Sequence, residues 1–246
     1  IRPRQLVQMI SPDFFGNPAT LNYRGAWNYA EQIIYIGVIP LIFSILVIFY
    51  FVIPGLTRNL FKYLYRSRIE SGMTVGTIEI FALFIISFGL LFAIHNPISR
   101  LPYQLKLPLI SDLQPTRLSY LITFGLSVLS ALGFNEFLKN PRKLLSKVVT
   151  ILSILSILLF TLLVISSKFL PEDKLISQRN LIWPVALLIS FYILSGLFYL
   201  FENKKQKTKN KKLQLFALCS LLFVISDLFR FGWKFTPFSP KEYLYP

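Results

Sequence analysis

The residues of this chain that could do chemistry are few and mostly charged. Asp227 interrupts an otherwise apolar run from Leu213 to about Trp233. A carboxylate inside a membrane helix costs about 2.5–3.5 kcal/mol on insertion scales, so it must face a protein interior or a wet cavity and have a partner. Two partners present themselves. Arg230 lies three residues on, on the same helical face, and would make a local structural pair. Arg117, just after Pro115, would make a pair across the bundle that lines a cavity. Arg117 has two readings of its own: snorkelling at the membrane interface, or holding an anionic group such as a lipid phosphate. The single histidine, His95, closes the apolar run Ile80–Ile94 and is followed by Asn96, Pro97 and Arg100. A lone histidine there reads as a helix cap or interfacial residue before it reads as a base.

A second polar concentration precedes the first long apolar run. Residues 11–31 read SPDFFGNPATLNYRGAWNYAE, with turn formers Pro12, Gly16, Asn17, Pro18 and Gly25 among aromatics and Asp13, Asn22, Arg24, Asn28 and Glu31. Phe14, Phe15, Tyr23, Trp27 and Tyr29 form either an aromatic belt at headgroup level or part of a substrate-facing lip. Lys234 stands just past the last apolar run. Asp13 and Glu31 are carboxylates able to orient an acceptor hydroxyl; Arg24, Arg117, Arg230 and Lys234 are cations able to stabilise a phosphate.

These residues need elements to position them, and the composition says which. The chain has 246 residues, 54% hydrophobic and only 15% charged, with Lys+Arg 26 against Asp+Glu 11, a formal net charge of +15. Its mean hydropathy is +0.59. A basic soluble domain that binds nucleic acid would carry more charge and fewer apolar residues, so nucleic acid is excluded as a partner and a lipid bilayer is expected. Ile33–Pro54, about 33 Å as a helix, is long enough for a hydrocarbon core of about 30 Å. Similar runs cover Ile80–Ile94, Leu118–Phe134, Val148–Ser166, Leu181–Phe201 and Leu213–Trp233. The expectation is an all-α polytopic bundle of about six transmembrane helices over residues 32–233. An outer-face segment, 1–31, precedes it and a C-terminal segment, 234–246, follows. Strand alternation is absent, which argues against a barrel.

Basic residues crowd the connections after the first, third and fifth runs: Arg58, Lys62, Arg66 and Arg68; Lys139, Arg142, Lys143 and Lys147; and the lysines from Lys204 to Lys212. The positive-inside rule then puts these loops in the cytoplasm and both termini outside. The lysine run is explained by that role alone. Glycine-rich phosphate loops and Cys/His metal spacings are missing, so neither cofactor nor metal is expected. Cys219 reads as a small packing residue. The chain starts at Ile1 rather than Met, which suggests a piece of a longer protein.

Three blocks carry a family resemblance. The stretch LVQMISPDFFGNPATLNYRGAWNYAEQIIYIGVIPL resembles the loop and following helix of YfhO-like bacterial membrane proteins, through Pro12, Asp13, Phe14, Phe15, Gly16, Asn17, Glu31, Tyr35, Ile36, Gly37, Pro40 and Leu41. PISRLPYQLKLPLISDLQPTRLSY is similar to that family's proline-containing outer loop, although Leu113 stands where the first arginine of its Arg-x-Pro-x-Arg is expected. DLFRFGWKFTPFSPKEYLYP is similar to the segment that closes the membrane region. The resemblance implies a GT-C-type fold and a glycosyltransferase that moves a sugar from a polyprenyl-phosphate-linked donor to a cell-envelope glycan or lipid. It also implies that the catalytic carboxylate lies in a first outer loop with no counterpart here. What remains is the lipid-phosphate and acceptor side, where Arg117, Arg230, Arg24 and Lys234 would hold phosphate and Asp227, Glu31, Asp13 and His95 would support them.

Two other classes compete. A transporter would show broken helices in two repeated halves with charges at the midplane. Pro40 and Pro184 interrupt runs, but no repeat is visible and the polar residues gather toward one end. A non-catalytic membrane scaffold draws its support from the missing first-loop carboxylate.

Overall fold

The computed structural model describes residues 1–25, 28–54, 77–106, 108, 112, 114–169, 174–202 and 209–235. Among these, all regular structure is helical. The basic residues Arg58 to Arg68, most of the Lys204–Lys212 run, Trp27, Leu113 and most of 234–246 lie outside them.

Among the described residues eight α-helices follow one another: α1 Tyr29–Gln32, α2 Val38–Val47, α3 Thr77–Ala93, α4 Pro97–Gln104, α5 Ser119–Lys139, α6 Pro141–Phe169, α7 Lys174–Glu202 and α8 Lys209–Phe235. The last four are long and apolar enough to cross a membrane, over Pro115–Lys139, Pro141–Val164, Leu175–Leu200 and Lys211–Lys234. At 1.5 Å per residue the shortest of these windows reaches about 36 Å. The helix α3 turns by 72° into α4, and the pair makes a fifth span if taken as one. The chain is thus a multi-pass membrane protein, with four or five such helices among the described residues.

The expected first span is shorter than its apolar run. Residues Ile33–Gly37 are not helical, and α2 begins at Val38. Gly37, at its N-cap, has φ +97°, a conformation L side chains rarely adopt, so helix cannot extend back through it. Pro40 then falls in the first turn, where its missing N–H costs nothing. Beyond Val47 the backbone widens into a π-turn over Ile48–Val52. The basic stretch Lys139–Lys147 is also not a loop: only Asn140 separates α5 from α6, which Pro141 starts.

Packing centres on α5, which runs along α2 and α3. A Cβ at Gly133 would collide with the Phe43 carbonyl, and one at Gly89 would stand 2.6 Å from Ile122 Cγ1. Close backbone approach through small residues is how helices associate where lipid removes the hydrophobic drive. Four fully buried rings then tie α2, α5, α7 and α8 together: Phe43 lies 5.7 Å from Phe137 and 6.1 Å from Phe191, and Phe216 lies 5.2 Å from Phe137 and 5.9 Å from Phe191. Such pairs contribute about 0.5–1.5 kcal/mol each. The outside is apolar too, with Ile154, Ile157 and Phe160 on α6 and Leu215, Leu218, Leu222, Ile225 and Phe229 on α8 exposed. An apolar exterior over an apolar core belongs to a protein solvated by lipid. The N-terminal segment is no separate layer: Ile1, Ile10 and Phe14 join the main core.

Candidate functional site

The polar residues converge where α3 and α8 end and α5 and α7 begin, and they form three nodes. The first is Asp13, 3% exposed. A tight bend places it: Gly16 N–H donates to the Asp13 carbonyl (2.8 Å). Its Oδ1 accepts from the Tyr29 hydroxyl (2.6 Å) and Asn17 Nδ2 (2.8 Å), and its Oδ2 pairs with Lys234 Nζ at 3.1 Å. The backbone around it is clamped to the first turns of α7. Asn180 Nδ2 donates to the Asp13 carbonyl (2.5 Å), Ser177 Oγ to the Phe14 carbonyl (2.9 Å), and Ser11 Oγ to the Asn180 carbonyl (3.1 Å). The node therefore fastens residues 11–17 to α1, α7 and the end of α8. Burial, and then the adjacent Asp13 charge, push the Tyr29 hydroxyl far above its ordinary range, so Tyr29 stays a donor.

The second node is Asp227, also 3% exposed. It pairs with neither expected arginine. The Tyr35 hydroxyl lies 2.7 Å from both carboxylate oxygens, Trp183 Nε1 donates to Oδ1 (3.0 Å), and the Val38 N–H donates to Oδ2 (3.1 Å). Neutral donors serve here because the carboxylate sits at the N-terminus of α2, where unpaired N–H groups and the helix dipole favour an anion. Gly37 makes room: a Cβ there would stand 3.4 Å from Asp227 Oδ2 and 3.2 Å from Pro40 Cδ. Arg230 instead stacks over the Trp183 ring, 5.0 Å from its centroid, a cation–π contact. The same indole donates to Asp227.

Glu31 is the third node. Its Oε1 lies 3.7 Å from Arg117 Nε, and Thr116 Oγ1 donates to Oε2 (3.1 Å). The Gln114 amide, with nitrogen turned inward, reaches both oxygens at 2.6 and 2.7 Å. Arg117 thus belongs to Glu31, not to Asp227, because it sits on the turn Pro115–Leu118 beside α1. The Arg117 side chain remains 67% exposed. Arg24 is also exposed, on the loop whose N–H bonds the Phe15 carbonyl (2.8 Å). His95 lies at the α3–α4 elbow, where Arg100 Nε donates to its Nε2 (3.1 Å). It joins none of the three nodes.

The aromatic-belt reading of 11–31 fails for Phe14 and Tyr29, which are buried in protein. Tyr23 packs edge-on against Tyr29 with centroids 5.2 Å apart. Missed in the sequence were Tyr35, Trp183, Ser177, Asn180, Gln114 and Thr116. A polar residue at the first turn of an apolar run, as Ser177 and Asn180 are, was the available signal. No group of His, Cys, Asp and Glu suited to a metal ion occurs among the described residues. The whole chain matches no protein-family model, no curated protein and no solved structure.

Chemically, the arrangement holds three carboxylates that each accept from protein donors, and the exposed cations Arg117 and Arg24 lie at the same end.

Proposed function

We propose that this chain is the lipid-phosphate and acceptor side of a YfhO-like, GT-C-type membrane glycosyltransferase, using a polyprenyl-phosphate-linked sugar at the outer face of a bacterial cell membrane. The acceptor is a cell-envelope glycan or lipid. The observation that carries the proposal is Arg117: a two-thirds exposed guanidinium held by Glu31 at the polar end of an apolar bundle. In the transfer, an acceptor hydroxyl forms the new bond to the sugar's anomeric carbon while the bond from that carbon to phosphate oxygen breaks. The leaving phosphate gains negative charge, which Arg117, with Arg24 and Arg230, would stabilise. The hydroxyl proton passes to a carboxylate that the family resemblance assigns to a first outer loop outside these 246 residues. The three resident carboxylates suit a supporting role, since each already accepts from protein donors.

That same pairing favours the second reading, a non-catalytic scaffold. The two part on one experiment. In the complete gene product, Arg117→Ala should abolish sugar transfer from a polyprenyl-phosphate donor while expression and membrane insertion persist. Undiminished transfer by a stably inserted variant removes Arg117 from the site.

A further inference from the structure

The helix α4 leaves α3 at 72°, so if α3 crosses a bilayer, α4 lies near the membrane plane. The elbow is fixed on both sides. Asn96 Oδ1 accepts from the Ser99 N–H (2.9 Å), while the Asn96 N–H donates to Ser99 Oγ (3.1 Å). Asn96 Nδ2 closes the end of α3 by donating to the carbonyls of Leu91 (2.7 Å) and Ile94 (2.9 Å).

At 3.6 residues per turn, the residues of α4 divide into three faces. Ile98, Leu101 and Leu105 share a sector about 60° wide, 45%, 46% and 67% exposed. Ser99 and Tyr103 form the second, turned to the protein, buried and half-buried. Arg100 and Gln104 form the third, both exposed, and exposed Lys106 follows. Residues 95–106 contain two cations and no acidic residue. Arg100 is steadied by its bond to His95 Nε2 and has further donors to give. Protein beside the helix, apolar side chains on one remaining face and cations on the other is the order a headgroup layer imposes.

We infer that α4 is an in-plane helix seated on one leaflet, with Ile98, Leu101 and Leu105 in the upper acyl region and Arg100 and Lys106 on anionic lipid phosphates. Its occupant is bulk anionic phospholipid, so it stands apart from any sugar donor.

The test uses the full chain with Cys219→Ala, spin-labelled at Leu101→Cys or Gln104→Cys, in vesicles of phosphatidylcholine with phosphatidylglycerol. The Leu101 label should be accessible to oxygen at a depth of about 5–10 Å, and the Gln104 label to a water-soluble nickel relaxant. Spin-labelled phosphatidylglycerol should associate with the chain in preference to phosphatidylcholine. Arg100→Gln with Lys106→Gln should lower that preference about twofold. A Leu101 label at mid-bilayer depth, meaning a re-entrant segment, overturns the proposal. So do two labels equally exposed to water, or a lipid preference unchanged by the double substitution.

Discussion

Asp13 and Asp227 are equally buried, yet they are held in opposite ways. Asp13 has a cation, Lys234, 3.1 Å away, plus a tyrosine and an asparagine. Asp227 has a tyrosine, an indole N–H and a helix N-terminus, with its nearest sequence cation spent on a tryptophan face. The difference follows from position. Asp13 lies in a loop outside the helices, where a half-buried lysine can reach it from the end of α8. Asp227 lies within α8, where a second buried charge would add its own desolvation cost. A helix start carries fixed partial charges and no such cost. Charge pairing serves the rim and dipoles serve the interior.

The largest effect should come from breaking the dipole-held node. Asp227→Ala leaves the Tyr35 hydroxyl, the Trp183 N–H and the Val38 N–H unpaired, at about 1–3 kcal/mol each before relaxation. We expect a net loss of about 3–5 kcal/mol, a fall in Tm of roughly 10 °C in detergent. A shift of only a degree or two would show that the carboxylate does not anchor α2.

Next in size is the test of the contrast itself. A double-mutant cycle of Asp13→Asn with Lys234→Met should return a coupling of about 1–3 kcal/mol in thermal unfolding, discounted because the lysine is 28% exposed. The corresponding cycle of Asp227→Asn with Arg230→Met should return less than about 1 kcal/mol. Equal couplings would erase the distinction between the two nodes.

The smallest effect is a pH dependence. The folded Tyr29 hydroxyl titrates above its unfolded value of about 10, so the folded state holds the proton more tightly. Its contribution is complete below pH 10 and is lost as pH rises beyond that. Stability curves of the parent and Tyr29→Phe should run parallel up to about pH 9 and converge above 10. Curves that converge in acid instead would assign the effect to another group.

Much of this was legible in the residues. Runs of apolar side chains mark α3 and α5–α8 because lipid imposes a length, and Asp227 had to point inward because lipid penalises a charge. Its partners were not legible. Tyr35 and Trp183 are 192 and 44 residues away in the chain, and the choice of neutral donors over Arg230 or Arg117 depends on where Gly37 starts a helix. The shortened α2 was hidden for the same reason: Ile33–Gly37 is as apolar as the helix after it, and only a backbone conformation separates them. Lys234 was seen as a cation but not as Asp13's counter-ion.

The central claim is that the polar rim binds a lipid-linked phosphate through Arg117. The most direct measurement is the binding of a polyprenyl phosphate to the purified chain in detergent micelles, parent against Arg117→Ala, with circular dichroism and Tm checking that both are folded. The account predicts about a tenfold loss of affinity for Arg117→Ala, which is about 1.4 kcal/mol for one charge-assisted contact. Equal affinities in parent and variant, both folded, would contradict it.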